Sequence, residues 1–399
     1  MRVTHVITRL IVGGAQENTV ATVLGLRQCP GVETALIAGP STGPEGSMEA
    51  AFASCPQMLS IVPSLVRPVH PLRDAAALLA LTRIFRLTRP DIVHTHSGKA
   101  GVLGRWAAHR AGVPIVVHTI HGPSFGPFQG APANTIFRGA ERFAAKFTTH
   151  FVSVAEAMTR QYLAAGIGRP DQYTRIFSGF PIQPFLDAEN DPAFRSRLGL
   201  APGDFVIGMI SRLFHLKGHD DLLDIAPNLM RQCPRAKFLF VGDGAWRERL
   251  ENRARTLGLE KSFVFAGLVA PSEVPRYVGV MDALAHLSRR EGLPRALPQA
   301  LAAARPVTAY DCDGAGEVCI DNETGFLVPP GDRETLARRL LQLAGDPALR
   351  RRLGTHGREF VRPRFSIDTM LDELRALYLK LSGSPSLGGE GGGEVEPCI

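Results

Sequence analysis

Phe205-Val206-Ile207-Gly208-Met209-Ile210-Ser211-Arg212-Leu213 is the stretch on which the fold turns. An apolar, β-branched run ends in a cation, and a strand–helix alternation starts there for the second time. Upstream, the first alternation predicts strands over 3–7, 33–38, 91–94, 115–118 and 151–154. Helical patterns fill 15–26, 75–87, 99–111, 134–147 and 155–165 between them. Downstream, strands are predicted over 205–210, 237–241, 262–266, 283–287 and 306–309, with a short one at 326–328 before a helix over 333–344. Short apolar strands alternating with helices imply parallel sheets of βαβ units. The chain therefore reads as α/β, with two Rossmann-like, doubly wound parallel-sheet domains. Ligands of such sheets bind beyond the carboxyl ends of the strands, and two sheets facing each other would share one central cleft.

Between the two patterns, Gly179-Phe180-Pro181-Ile182-Gln183-Pro184-Phe185 leads into a polar stretch over 187–192 that reads as a linker. The expected division is a first domain over 1–186, a second over 187–367 and a helix over 368–382 that can cross back to the first domain. A Gly/Ser/Glu tail over 383–399 has little to bury and is expected to be disordered.

With 399 residues, 45% of them hydrophobic and 21% charged, the composition is that of a soluble globular protein. Each domain can bury roughly 70% of its unfolded surface, enough to fold without disulfides or structural metal. Cys29, Cys55, Cys233, Cys312, Cys319 and Cys398 form no Cys-x-x-Cys pair, which argues against a zinc site and fits a reducing cytosol. No charged segment followed by a long apolar one opens the chain, and no run of about 18 apolar residues occurs, so a cytoplasmic protein is expected. The net charge of +7 favours anionic partners. Leu81-Thr82-Arg83-Ile84-Phe85-Arg86-Leu87-Thr88-Arg89 is basic and amphipathic at helical spacing. A solvated arginine face is the plain reading, and peripheral contact with the inner, anionic face of a membrane is the alternative. No basic cluster interleaved with aromatics supports nucleic-acid binding.

Several groups could carry chemistry. The strand at 3–7 runs into Gly13-Gly14-Ala15-Gln16, where adjacent glycines let backbone N–H groups approach an anion at a helix start. A tight structural turn explains the pair equally well. Neither this turn nor Ser97-Gly98-Lys99-Ala100-Gly101 matches a dinucleotide fingerprint or a P-loop. His94, His96, His118 and His121 gather near strand ends. His94 and His96 share one strand face, which raises metal binding, but no nearby carboxylate completes a ligand set. Satisfied structural roles are the better reading for His94, His96 and His118. His121 precedes Gly122-Pro123 just past a strand's carboxyl end, where a cleft residue would sit.

In the second half, Arg212 and Lys217 follow a strand and precede a helix that begins near Gly218. An Arg–Lys pair can neutralise a diphosphate leaving group without a metal. Arg290-Glu291-Gly292-Leu293-Pro294 follows the 283–287 strand, and Glu291 can accept hydrogen bonds from sugar hydroxyls unless it is spent on Arg289 or Arg290. Gln299 lies eight residues beyond it. Asp311-Cys312-Asp313 matches a metal-holding Asp-x-Asp, but its loop into Gly314-Ala315-Gly316-Glu317 reads first as a backbone anion nest. No metal is assigned.

Taken in order, Gly13-Gly14-Ala15-Gln16, Asp91-Ile92-Val93-His94-Thr95-His96, His121-Gly122, Arg212 with Lys217, Val241-Gly242-Asp243-Gly244, Glu291-Gly292-Leu293-Pro294 and Gly325-Phe326-Leu327-Val328-Pro329-Pro330-Gly331-Asp332 resemble one family. It is the family-4 retaining glycosyltransferases of the GT-B fold, of the kind that builds bacterial polysaccharides, over about residues 2–381. The resemblance implies a metal-independent hexosyltransferase with a nucleotide-diphosphate sugar as donor, no other cofactor, and a saccharide or lipid-linked saccharide as acceptor. It implies that Arg212 and Lys217 clamp the diphosphate, and that Glu291 with Gly292, Leu293 and Pro294 holds the donor sugar. His121 would stand beside the reacting sugar, Gly13 and Gly14 near donor phosphate and acceptor, and Gly242, Phe265 and Gly267 around the nucleotide. Where the family commonly has a second glutamate on the ribose, this chain has Gln299, an amide without the charge. A nucleotide-sugar binder without catalysis is thus one alternative, and a nucleotide-sugar epimerase on the same architecture another.

Overall fold

The computed structural model describes residues 1–41, 46–126 and 128–383. The tail expected to be disordered lies outside the described residues from position 384 on. The chain forms two compact units, Met1–Phe180 with Ser366–Ile399, and Pro181–Phe365.

The first unit is built on seven strands: β1 (Arg2–Ile7), β2 (Glu33–Ala38), β3 (Leu59–Ile61), β4 (Ile92–His96), β5 (Ile115–Ile120), β6 (His150–Ser153) and β7 (Tyr173–Arg175). They pair in parallel in the order β3-β2-β1-β4-β5-β6-β7. The winding reverses between β1 and β4, which makes their carboxyl ends the switch point. Every residue of β4 and β5 is buried, as central parallel strands covered on both faces require. One face packs under the helices Gly14–Leu26 and Ile367–Leu381, around Val3, Leu26, Ile92, Met370, Leu371 and Leu374. Each fully buried leucine there contributes roughly 1.5–3 kcal/mol. The other face packs under Pro71–Thr88 and Gly98–Ala111, around Val6, Val93, Leu81, Phe85 and Val116. A buried ion pair crosses this unit, with Arg105 Nη2 2.6 Å from Glu141 Oε2. Ser124 donates to the other carboxylate oxygen of Glu141, which anchors the segment after β5.

The second unit has six parallel strands: β8 (Phe205–Ile210), β9 (Ala236–Val241), β10 (Phe263–Gly267), β11 (Ala283–His286), β12 (Val307–Tyr310) and β13 (Gly325–Val328). Their order is β10-β9-β8-β11-β12-β13, so this sheet reverses between β8 and β11. Its core joins Ile207, Met209, Phe238, Phe240, Ala285 and Leu287 to Leu222, Leu336 and Leu340 of the flanking helices.

The two halves are thus doubly wound and parallel. Three details differ from the sequence expectations. β3 and β7 were not anticipated; each is a three-residue edge strand, too short for an alternation to register. β4 runs to His96 instead of ending at 94. The helix Pro347–Val361 was also missed, because its seam is interrupted by Gly354 and Gly357, which let it approach Ala304 and Leu301 closely.

Candidate functional site

In the second unit the switch point is lined by the two segments singled out from the sequence. The segment after β8 carries Arg212 and Lys217, and the segment after β11 carries Ser288 and Glu291. Backbone contacts knit them together. Arg289 N–H donates to Leu216 O at 2.7 Å. Gly218, at φ +79°, lies so close to β11's exit that a Cβ would stand 2.2 Å from Leu287 O. Gly242, at φ +132°, meets Ser211 in the same way, with a Cβ 2.2 Å from its carbonyl oxygen. Side chains at either position would push the loops apart.

This backbone brings Lys217 Nζ to 2.5 Å from Glu291 Oε1. His286 Nε2 stands 3.4 Å from the same oxygen, and Ser288 Oγ is 3.5 Å from Lys217 Nζ. Burial alone would raise the Glu291 carboxyl, but the nearby His286 imidazole and the hydrogen-bonded Lys217 ammonium outweigh it and hold the group well below the usual carboxylate range. Glu291 is therefore a carboxylate at any neutral pH. It does not pair with Arg289, whose Nη2 donates to Asp221 at 2.8 Å; Asp221 also takes Arg333 Nε at 2.9 Å.

Asp313 fixes the Glu291 turn from below. Its Oδ2 accepts the Glu291 backbone N–H at 2.7 Å, and Gly314 N–H donates to Gly292 O at 3.0 Å. The 311–316 loop is thus not an open anion nest at this point. The loop's own Gly314 and Ala315 amides are spent on Gly292 O and Cys312 O, and Asp313 holds a left-handed backbone at φ +52°. Gly292, Leu293 and Pro294 are buried within this packing.

The remaining expected residues are placed as follows. Arg212 is exposed on the loop after β8, with its guanidinium 5.9 Å from the Phe214 ring. Gly242 N–H donates to Gly267 O at 2.9 Å, joining the ends of β9 and β10. Phe265 turns its half-buried ring edge-on to Phe240, centroids 5.3 Å apart, so part of it belongs to the aromatic core. Gln299 is half-buried in the short helix Ala296–Ala302.

In the first unit, Gly13 caps the helix Gly14–Leu26 beyond β1, and Glu17 N–H donates to its carbonyl at 2.9 Å. His121 directly follows β5. Its Nε2 lies 3.0 Å from His96 Nδ1, and His96 Nε2 lies 2.9 Å from His5 Nδ1. Beside them, His94 places Nδ1 2.5 Å from Tyr378 Oη and Nε2 2.6 Å from Thr119 Oγ1. Burial drives the His5 imidazole down to about 3, and it drives His94 and His96 well below their ordinary value. All three are neutral. One nitrogen each of His5, His94 and His96 lies within 4.8 Å of the others, a spacing a metal could use. Yet both nitrogens of His94 face hydroxyls and both of His96 face imidazoles, so the group is a hydrogen-bonded network. His118 is separate, with Nδ1 2.9 Å from Thr95 Oγ1.

Sequence reasoning missed Asp313, His286 and His5. Asp313 stands in the sequence reading only as part of a loop taken first for an anion nest and second for a metal motif. His286 ends β11 and reads as a strand residue. His5 joins the cluster only because the β1–β4 register sets it beside His94.

Two doubly wound parallel sheets, each with polar groups at its switch point, define the class of the GT-B glycosyltransferases. A solved structure of Alr3699/HepE from Anabaena, in complex with UDP-glucose, is similar to this chain at a TM-score of 0.79 and 22% identity, covering 95% of this chain and 100% of that one. Sucrose-phosphate synthase from Thermosynechococcus elongatus is similar at a TM-score of 0.77 and 19% identity, over 96% and 99% of the two chains. Residues 190–360 match the family of glycosyl transferases group 1, and residues 13–178 match the glycosyl transferase 4-like domain. The 2-deoxystreptamine glucosyltransferase of Streptomyces kanamyceticus is 30% identical over 77% of this chain and 82% of its own. UDP-Gal:alpha-D-GlcNAc-diphosphoundecaprenol alpha-1,3-galactosyltransferase of Escherichia coli is 28% identical over 80% and 83%. The chain belongs to the group 1 glycosyltransferases and is a glycosyltransferase that draws on nucleotide-sugar donors.

Proposed function

We propose that this glycosyltransferase moves a hexose from a nucleoside-diphosphate donor to an acceptor hydroxyl with retention of anomeric configuration. The observation that carries the reading is the Lys217–Glu291 pair at the carboxyl ends of β8 and β11. A cation and a half-buried, permanently ionised carboxylate side by side match a ligand that is anionic at one end and rich in hydroxyls at the other. On binding, the diphosphate takes the Lys217 ammonium, with Arg212 as second cation, and Glu291 accepts from the sugar hydroxyls. The acceptor oxygen bonds to the anomeric carbon as the bond to the diphosphate oxygen breaks. The acceptor proton passes to the departing phosphate, so the products are a glycoside and a nucleoside diphosphate. Each charge-assisted hydrogen bond to the leaving group is worth about 1.5–3 kcal/mol. His121 and the Gly13-Gly14 turn are assigned to the substrate-facing side of the first unit. The nucleotide is assigned to Gly242, Gly267 and the exposed part of Phe265, with Gln299 on the ribose.

The acceptor class we propose is a lipid-linked saccharide, the class named for the E. coli relative. The helix Pro71–Thr88 supports an encounter with an anionic lipid surface at the cytoplasmic face. Leu72, Ala76, Leu79, Arg83 and Arg86 are all exposed at spacings that form one stripe, with Leu72 78% and Leu79 61% exposed. No helix among the described residues is long and apolar enough to cross a membrane.

The test is incubation with a panel of nucleotide sugars, with slow hydrolysis or transfer as readout, and anomeric configuration read by NMR. Turnover with net retention supports the reading. Binding without turnover favours a non-catalytic binder, and sugar inversion without transfer favours an epimerase. Cosedimentation with vesicles containing anionic lipid tests the membrane encounter, and loss of it in Leu72→Ser/Leu79→Ser would support the stripe.

A further inference from the structure

The second unit gathers a group of charges that no step above uses. Asp221 lies in the first turn of the helix His219–Gln232 and is 2% exposed. Its Oδ2 accepts from Arg289 Nη2 at 2.8 Å, and its Oδ1 accepts from Arg333 Nε at 2.9 Å. Arg333 also places Nη2 2.7 Å from Asp224 Oδ2. The two arginines come from different loops. Arg289 follows β11, and Arg333 opens the helix Arg333–Gly345 after β13. The end of β12 lies beside them: burial, and after it the charge of Asp221, raise the Tyr310 hydroxyl above its ordinary value. The helix that carries Asp221 itself follows β8. One buried carboxylate thus joins the exits of β8, β11, β12 and β13 at the carboxyl edge of the second sheet.

Asp221 needs its partners more than they need Asp221. A buried carboxylate must be paired to offset its lost hydration, whereas the side chains of Arg289 and Arg333 are 44% and 50% exposed and can turn to water. An apolar residue in such a place is often no less stable than the ion pair, so stability alone does not account for the charge. What the carboxylate adds is geometry. Arg289 N–H donates to Leu216 O at 2.7 Å, one residue before Lys217, and Glu291 lies two residues beyond Arg289. Ser288, on the other side of Arg289, places Oγ 3.5 Å from Lys217 Nζ. The Arg289 guanidinium is therefore a tether from the loop that carries Glu291 to the helix start that follows Lys217. The Arg333 arm leads instead to Asp224.

We propose that Asp221 is a positioning residue for the Lys217–Glu291 pair, acting through Arg289 to hold the two loops in place. This rests on the reading of that pair as the grip on the donor.

The test compares Asp221→Asn, Arg289→Met, their double variant and Arg333→Met in the full chain. Hydrogen exchange of the Arg289 amide, read by NMR without donor, reports the tether, and steady-state kinetics report the pair. In Asp221→Asn and in Arg289→Met the amide should exchange about tenfold faster. In both, kcat should fall about tenfold with KM changed less, since a slight misplacement of a group that acts on the leaving phosphate slows chemistry first. The double variant should lose no more than the larger single loss, because both substitutions break one tether. Arg333→Met should keep wild-type exchange and kcat and lower only the melting temperature. Wild-type exchange in Asp221→Asn, additive losses in the double variant, or a loss in Arg333→Met equal to that in Arg289→Met would each overturn the proposal. Should Asp221→Asn fail to fold, Arg289→Met and Arg289→Lys carry the test, with the lysine expected to restore part of kcat and equal losses in the two overturning the proposal. Lys217→Ala separates the two readings. If it is slow while Asp221→Asn keeps wild-type kcat, the proposal fails; if Lys217→Ala is itself unimpaired, the donor-grip reading fails and the exchange rates alone decide the tether.

Discussion

The ammonium of Lys217 lies 2.5 Å from Oε1 of Glu291, 74 residues further along the chain. The pair exists because two loop exits are stitched at the switch point of one sheet, by Arg289 N–H on Leu216 O and by the bare Cα of Gly218 against Leu287.

Asp313 Oδ2 accepts the Glu291 backbone N–H at 2.7 Å and so holds the Glu291 turn. Asp313→Ala removes the acceptor of a part-buried amide, at a cost of about 1 kcal/mol. We expect a tenfold or larger fall in kcat/KM with a modest loss of melting temperature, and Asp313→Asn to restore part of it. Steady-state kinetics and thermal melts of the two variants check this, and unchanged kinetics in Asp313→Ala would show that the turn needs no such support.

Glu291→Gln keeps the shape of the side chain and removes its charge. We expect donor affinity to fall about 10–100-fold, the equivalent of one charge-assisted hydrogen bond. The pH dependence has a definite sign. Because the folded carboxyl is held below its ordinary value, the stability it contributes is fully present above the unfolded value of about 4.3 and is lost only as pH falls through the lower, folded one. Across about pH 5–8 Glu291 does not titrate, so wild type and Glu291→Gln should share the shape of their pH–rate profiles. An acid limb that vanishes in the variant would contradict this.

Arg105 and Glu141 form a pair with both side chains almost wholly buried. Arg105→Met strands the Glu141 charge in the interior, which costs about 3–5 kcal/mol. Denaturant unfolding should show this loss, and the double variant Arg105→Met/Glu141→Leu should recover most of it. A single variant as stable as wild type would mean that Glu141 reaches water.

Much of this architecture was legible from hydrophobic patterning. β8 and β9 are six-residue, largely apolar runs and β11 is a shorter one, each followed by a polar loop, so both the second sheet and the loops at its carboxyl edge could be read directly. The three-residue β3 and β7 could not, since they owe their structure to the neighbour they pair with. The same limit applies to the site. Lys217 and Glu291 stood out by residue type and local turn chemistry. Asp313 did not, because its role depends on where a backbone amide from another loop arrives. His5 was invisible for a related reason, since only the register of β1 on β4 makes it a neighbour of His94.

Gln299 occupies the position where a charged acceptor for the ribose is common in the resembling family. Gln299→Glu should leave the melt unchanged and tighten donor binding about fivefold, as a charge-assisted bond replaces a neutral one. Calorimetric titration with the preferred donor checks this, and weaker binding would assign the amide a role of its own.

The central claim, that Lys217 grips the leaving diphosphate, is tested most directly by the transfer rate of Lys217→Ala with a donor the wild type uses. A loss of about a hundredfold or more in kcat, with the fold intact by circular dichroism, is the predicted result. A wild-type rate in the folded variant would contradict it.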